Sequence, residues 1–220
     1  MSMYTITKQK PWTEILESLD DSDKVYLVGC GTCAAVCRTG GKDEVIEAKR
    51  LLKEAGKTVT GWMVIPTTCD NLTKDALEEE SVRIGQSDTI LVMSCALGVQ
   101  RVADNVENVA IPALDTLYFG MEQSPGNFAE VCIQCGDCVL AFTGGICPVT
   151  ICPKGLLDGP CGGTKDGKCE VDSQKDCAWT LIYNRLKKQG RLDKMRMEQK
   201  PKDYSLMTHP RQGISVQTDE

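Results

Sequence analysis

The sequence predicts an α/β protein: a small parallel-sheet, Rossmann-like N-terminal domain over residues 1–125, an irregular cysteine-rich metal-binding region over 126–180, and a C-terminal helix and extended tail over 181–220. Three observations predict it. Short apolar runs alternate with amphipathic stretches up to about residue 114, the signature of a parallel sheet covered on both faces. Between residues 118 and 177 Gly, Pro and Cys punctuate the chain every few positions and no hydrophobic period survives. Eight of the 13 cysteines fall in residues 132–177, and none follows.

Taken in order, Pro11 opens a short helix with Trp12, Ile15, Leu16 and Leu19 on one stripe, ended by Asp20-Asp21-Ser22-Asp23. Val25–Val28 reads as a strand. Residues 42–55 read as a helix with Val45, Ile46, Leu51 and Leu52 inward, and Gly56 stands where a C-cap belongs. Thr58–Ile65 is a second strand, stopped by Pro66, and Asp70 can cap a helix running to about Ile84. Thr89–Met93 is a third strand, residues 97–107 a helix, and Val109–Leu114 a fourth strand. After the cysteine-rich region, residues 178–195 return to helix with Trp179, Ile182, Tyr183 and Leu186 on one stripe, expected to pack on the cysteine-rich region, the chain's own body or a partner. From Met197 onward polarity, Pro201 and Pro210 predict an extended arm or disorder.

Composition narrows the function. Hydrophobic residues at 41% can build a core, and aromatics at 5% make it aliphatic. A (β/α)₈ barrel, which needs about 250 residues, does not fit. The net charge of −6 leaves no footprint for nucleic acid. Residues 1–177 carry 16 Lys+Arg against 26 Asp+Glu, whereas residues 178–220 carry 9 against 5, so a basic tail follows an acidic body. Met1–Lys10 is polar and offers no apolar signal region, and no membrane span is visible. A reducing, cytoplasmic setting is expected, where clustered thiols mean metal or redox chemistry.

The first five cysteines sit at related places. Cys30 ends the first strand, Cys69 follows the second and Cys95 ends the third, with Cys33 and Cys37 in the loop or first helical turn after Cys30. In a parallel sheet those strand ends share the carboxyl edge, where open α/β folds bind ligands. Cys30-x2-Cys33-x3-Cys37 could supply two or three thiolates and the distant strand ends complete a tetrahedral set. The plainer alternative is that Cys69 and Cys95 pack as small hydrophobes. Gly29-x-Gly31-x-x-Ala34 matches a dinucleotide-binding fingerprint, but cysteines occupy two of its variable positions and no clear ribose-binding acid precedes Asp70, so nucleotide binding is not expected there.

The second group runs Cys132-x2-Cys135-x2-Cys138-x8-Cys147-Pro148, then Cys152-Pro153, Cys161, Cys169 and Cys177. Its start and its Cys-Pro end follow the ferredoxin pattern, with a far longer last gap. Four-cysteine zinc is the rival, since C-x2-C pairs also build tetrahedral sites. Eight thiols exceed one four-ligand site, so either two sites exist or some cysteines are bystanders. Cys177, nearest the helix, is the weakest candidate, and the expected ligands are the other twelve. A thiol–disulfide switch at Cys30-x2-Cys33 ranks last, because it leaves eleven cysteines unexplained.

Other chemistry is missing. The lone His209 lies in the polar tail, so Ser/His/Asp and Cys/His arrangements have no histidine to use. There is no G-x4-G-K-[ST] phosphate loop. The chain is therefore not expected to be catalytic alone.

The series Cys132-x2-Cys-Gly-x-Cys-Val-Leu, Thr143-Gly-Gly-Ile-Cys-Pro, Cys152-x-Lys-x-Leu-Leu, Gly159-Pro-Cys-Gly-Gly, Gly167-Lys-Cys-Glu and Cys177-Ala-Trp resembles the methylenetetrahydrofolate reductase C-terminal domain family, as found in the small cysteine-rich subunit of the reductase of acetogenic and other anaerobic bacteria. Gly29-Cys-Gly-Thr-Cys-x3-Cys and Ser94-Cys-Ala-x-Gly-Val-Gln resemble that subunit too, so the likeness spans roughly residues 24–195. Asp158 departs from it, standing where the family more often has Asn. The resemblance implies an accessory subunit of a heteromeric oxidoreductase, carrying [4Fe–4S] clusters, two being expected, with zinc as the alternative metal. It implies a flavin-containing barrel subunit as partner, with FMN on that partner rather than on this chain, and leaves room for further electron-transfer subunits. The implied role is electron transfer and docking in the conversion of methylene- to methyltetrahydrofolate in one-carbon metabolism. A zinc-stabilised scaffold without redox role is the competing reading.

Overall fold

A strand from the first described residues, not a helix, opens the fold. The computed structural model describes residues 3–211, and its elements run β1 (Met3–Gln9), α1 (Trp12–Ser18), β2 (Lys24–Cys30), α2 (Cys33–Val36), α3 (Lys42–Glu54), β3 (Thr58–Ile65), α4 (Thr73–Glu79), α5 (Ser81–Ile84), β4 (Thr89–Met93), α6 (Ala96–Ala103), β5 (Val109–Pro112), β6 (Leu114–Ser124), β7 (Asn127–Glu130), α7 (Pro148–Ile151) and α8 (Ala178–Lys188). Two compact units divide between Ala129 and Glu130. No described helix is long and apolar enough to cross a membrane.

In the first unit the expected parallel sheet is present, in the order β3-β2-β4-β5. Its strands bury alternate side chains on opposite faces, as the two-residue period requires. Val25, Leu27, Leu91 and Met93 pack with Val45, Ala48 and Leu52 of α3 and Ile15 of α1. Tyr26, Val28, Ile90 and Val92 face the other way, onto Leu77, Ile84 and Val102. The chain leaves β2 for β3 on one side and then crosses to β4 on the other. The carboxyl ends of β2 and β4 therefore flank the point where the winding reverses, the crevice that open α/β sheets use for ligands.

The sequence reading missed a second sheet. β1, β6 and β7 form an antiparallel sheet in that strand order, with β6 in the centre and β1 paired to it so that Met3 lies opposite Met121 and Gln9 opposite Leu114. Residues 118–130 are thus largely strand rather than irregular. The period was hidden because these strands bury few apolar side chains: β1 buries Thr5, Ile6 and Thr7, and β6 buries only Leu114 and Gly120. Main-chain pairing supplies the order instead. The expected fourth strand also stops early. Pro112 ends β5, and Ala113 joins the two sheets by donating to the Val92 carbonyl (2.9 Å) and accepting from Lys10 N (3.0 Å).

Two helices are shorter than expected. The one expected to Ile84 breaks at Glu80, whose carboxylate accepts from the Tyr26 hydroxyl at 3.1 Å. Asp70 closes a turn by accepting from Leu72 N (2.9 Å), two residues ahead of α4, rather than capping it. The helix expected over 97–107 ends at Ala103, where Asn105 turns its amide back to the Arg101 carbonyl (2.7 Å).

In the second unit, the apolar core is small: Cys177, Trp179, Ile182 and Leu186, flanked by Ile146, Leu192 and Met195. The expected stripe of α8 does pack on the cysteine-rich segment, and the Trp179 indole donates to the Leu156 carbonyl at 3.1 Å. Tyr183 is the exception, 42% exposed because it falls at the stripe's margin. Beyond Met197 the chain is extended, as expected, apart from a 3-10 turn over Tyr204–Met207; the expectation for residues 212–220 lies outside the described residues.

Candidate metal centres

All thirteen cysteines are free thiols, and the fold sorts twelve of them into three groups of four. The first lies at the carboxyl edge of the parallel sheet. Cys30 is the last residue of β2, Cys33 opens α2, Cys69 sits in the loop after β3, and Cys95 is the N-cap of α6. These thiols are close enough to oppose one another's ionisation. Burial and then the charges of Cys30 and Cys95 push the Cys33 thiol up; burial and then Cys95, Cys30 and Cys33 do the same to Cys69.

Cys30 goes the other way. Burial alone would raise it, but the amides of Thr68, Thr32 and Ala34 and the Thr68 hydroxyl hold it below the ordinary thiol value. A thiolate so cradled is prepared as a metal ligand. Beside Cys95, the buried Ser94 hydroxyl has no partner among the described residues. Cys37, expected among the ligands, stands apart: it follows α2 as its C-cap and turns its thiol to the Thr5 carbonyl, 3.9 Å away.

The glycine fingerprint in this loop is explained by packing. A side chain at Gly29 would meet Val45 at 2.6 Å, and one at Gly31 would meet Pro66 at 3.3 Å. The helix that follows is one four-residue turn, too short to present a phosphate-binding N-terminus.

The second group is Cys132, Cys135, Cys138 and Cys147, which line one cavity of about 210 Å³ walled by Val131, Val139 and Leu140. The long gap after Cys138 is taken up by a compact turn, with Phe142 N bonded to Val139 O and Ile146 N to Thr143 O, that brings Cys147 back to the first three. The loop needs left-handed backbone at Gln134 (φ 51°) and Gly136 (φ 83°). Gln134 N donates to Cys132 Sγ (3.4 Å) and the Thr150 hydroxyl to Cys147 Sγ (3.5 Å). Such bonds to sulfur tune the potential of any cluster held there.

The tail lies over this loop. Lys202, its side chain 1% exposed, donates to the Asp137 carbonyl, and its ammonium is 3.9 Å from the Asp137 carboxylate. Arg211 donates to the Gln134 carbonyl at 2.6 Å, and Gln199 N to the Asp158 carboxylate at 2.8 Å.

The third group is Cys152, Cys161, Cys169 and Cys177, around a cavity of about 20 Å³. Bridges pairing Lys165 with Lys168 and Lys168 with Asp176 fold the segment back on itself. Cys169 N then bonds the Lys175 carbonyl (3.0 Å) and Cys177 N the Gly167 carbonyl (2.8 Å). Sequence reasoning set Cys177 aside, yet it is the buried N-cap of α8. Burial would raise its thiol, but the amides of Thr180 and Trp179 and the hydroxyls of Thr180 and Thr164 bring it below the ordinary value. The even spacing Cys161-x7-Cys169-x7-Cys177 was the available signal.

Among the described residues no group of three or more Cys, His, Asp or Glu side chains is placed so that it could hold a metal ion. The three groups are open sets of thiols, two of them around a shared space, and their all-sulfur donor sets suit soft or borderline metals.

Fold and sites together define a class: a cysteine-rich α/β protein with groups of four thiols at a sheet edge and in a loop region beside a small core. Residues 111–205 match the family model described as methylene-tetrahydrofolate reductase C terminal. The match takes in the end of the parallel sheet, β6 and β7, and the second and third quartets; over residues 24–110 the likeness rests on the motifs alone. No curated protein and no solved structure matches the chain.

Proposed function

We propose that the chain is an iron–sulfur electron-transfer and docking subunit of a methylenetetrahydrofolate reductase, serving a flavin-bearing barrel partner. The observation that carries it is the sorting of cysteines into quartets within and upstream of the matched segment. The first quartet (Cys30, Cys33, Cys69, Cys95) and the second (Cys132, Cys135, Cys138, Cys147) would each hold a [4Fe–4S] cluster, which supplies one-electron transfer when bound. The chain's own residues do the rest. Amides around Cys30 hold its thiol below the ordinary value, and Gln134 N donates to Cys132 Sγ. Val131, Val139 and Leu140 give the second site an apolar lining, while Cys132 and Cys138 are exposed at the surface. Cys69 is exposed, next to a surface hollow lined by Leu97, Gln100 and Arg101, so the first site meets the surface where a redox partner can approach.

Anaerobically purified chain tests the reading. Its visible absorbance is expected to bleach with dithionite and return when oxidised flavin mononucleotide is added, the flavin being reduced in exchange. A colourless chain that holds zinc and passes no electrons to flavin would establish the scaffold reading instead.

A further inference from the structure

We propose that residues 199–211 form a releasable strap that clamps the turn over residues 134–137, so that the arrangement of Cys132, Cys135 and Cys138 depends on whether the strap is seated. The turn itself is the first argument. Gln134 (φ 51°) and Gly136 (φ 83°) both hold left-handed backbone between these three thiols. For a residue with a side chain, as Gln134 is, that conformation is unfavourable and persists only where neighbouring groups impose it. The strap meets the turn at both residues. Arg211 donates to the Gln134 carbonyl at 2.6 Å, and a side chain on Gly136 would meet Leu206 Cβ at 2.8 Å, so Leu206 lies directly on that glycine.

The second argument is the link from strap to thiol. The Asp137 carbonyl accepts from the Lys202 ammonium and also from the Cys135 thiol, at 3.7 Å. Asp203 N donates to the Asp137 carboxylate at 3.4 Å. One residue of the turn thus joins the strap to a cysteine, and lifting Lys202 away removes the charged partner of that shared carbonyl.

The third argument is how lightly the strap is held. Between residues 199 and 211 only Lys202 is buried, while Tyr204 and Leu206 are 57% and 46% exposed. A hollow of about 380 Å³ lies between the two segments, lined by Lys200 and Pro201 on one side and by Cys138, Val139 and Phe142 on the other. A segment held by hydrogen bonds and one buried ammonium, with little apolar contact, belongs to the part of a fold that opens first. Strap and turn are therefore expected to open together, at far lower cost than α8 and its core.

The proposal concerns the thiol loop itself and holds whether or not anything is bound to the sulfurs. The full chain and its Lys202→Met and Leu206→Ala variants are compared by amide hydrogen exchange. Alkylation of Cys135 by iodoacetamide is followed alongside by mass spectrometry, with the exposed Cys161 as reference. In Lys202→Met, exchange over residues 199–207 and over 132–138 is expected to quicken together by about tenfold, the effect of one lost charge-assisted hydrogen bond. Cys135 is expected to react faster relative to Cys161 in the same proportion, and exchange in α8 to stay as it was. Leu206→Ala, at a half-exposed position outside the core, is expected to act in the same direction. If Lys202→Met loosens α8 as well, Leu206→Ala decides. A strap that exchanges faster while residues 132–138 do not, or two variants that leave both segments unchanged, overturns the proposal.

Discussion

Cys37 and Cys33 lie one helical turn apart, yet the structure gives them opposite surroundings. Cys33 feels the charges of Cys30 and Cys95, whereas Cys37 faces the Thr5 carbonyl. Cys37→Ala is therefore expected to leave the iron content unchanged, and Cys33→Ala or Cys95→Ala to remove about half of it, one of two clusters. Iron analysis of the three variants checks this, and iron lost with Cys37→Ala would place the odd cysteine in the ligand set. Lys202 makes a second residue-scale case. Its buried ammonium sits on the Cys135–Cys138 turn beside the Asp137 carboxylate. A positive charge there favours the reduced, more negative state of a bound cluster. Lys202→Met removes that charge and leaves the carboxylate, so the potential of the second site is expected to fall. A redox titration followed by electron paramagnetic resonance reads the shift, and an unmoved potential refutes the electrostatic role.

At the scale of elements, the cysteine sites depend on backbone that sequence patterns only partly reveal. Cys30 N bonds to the Gly40 carbonyl at 2.9 Å, and a side chain at Gly40 would meet the Met93 carbonyl oxygen at 2.0 Å. Gly40→Ala is expected to cost about 3 kcal/mol, the upper range for overpacking against rigid backbone, and to disturb the first quartet through Cys30. Denaturant unfolding measures it. In α8, Leu186 is fully buried in the smaller core, so Leu186→Ala is expected to destabilise the second unit by about 2–5 kcal/mol. The parallel strands β2 and β4 were legible because each is a run of buried, mostly aliphatic residues. β1 and β6 were not, because Thr5 and Thr7 carry the burial, the latter bonded to Thr39 at 2.6 Å, and polar threonines leave no apolar stripe. The carboxyl-edge convergence of Cys30, Cys69 and Cys95 was readable from topology alone. Which of Cys33 and Cys37 joins them was not, since it depends on the orientation of one turn of helix. The surroundings of Cys177 were not legible because its neighbours in space come from a ribbon, Gly167 to Asp176, that has no hydrophobic signature.

For the whole molecule, the two units stand on different footings. The first has aliphatic cores on both faces of its sheet, while the second gathers four buried apolar residues around α8. Metal removal should therefore unfold them unequally. With strong chelator, the second unit's thermal transition is expected to drop or vanish, while the transition of the sheet-containing unit moves little. Calorimetry with and without chelator tests this, and equal shifts of both transitions would contradict it. The charge asymmetry belongs to this scale too. The basic tail that the sequence sets after an acidic body partly spends its cations on the chain itself, through Lys202 and Arg211 on the second cysteine loop. The most direct test of the account is the metal and sulfide content of the full chain purified without oxygen. The account predicts about eight iron and eight inorganic sulfide per chain, two four-iron clusters. Zinc near stoichiometry with negligible iron and sulfide would contradict its central claim.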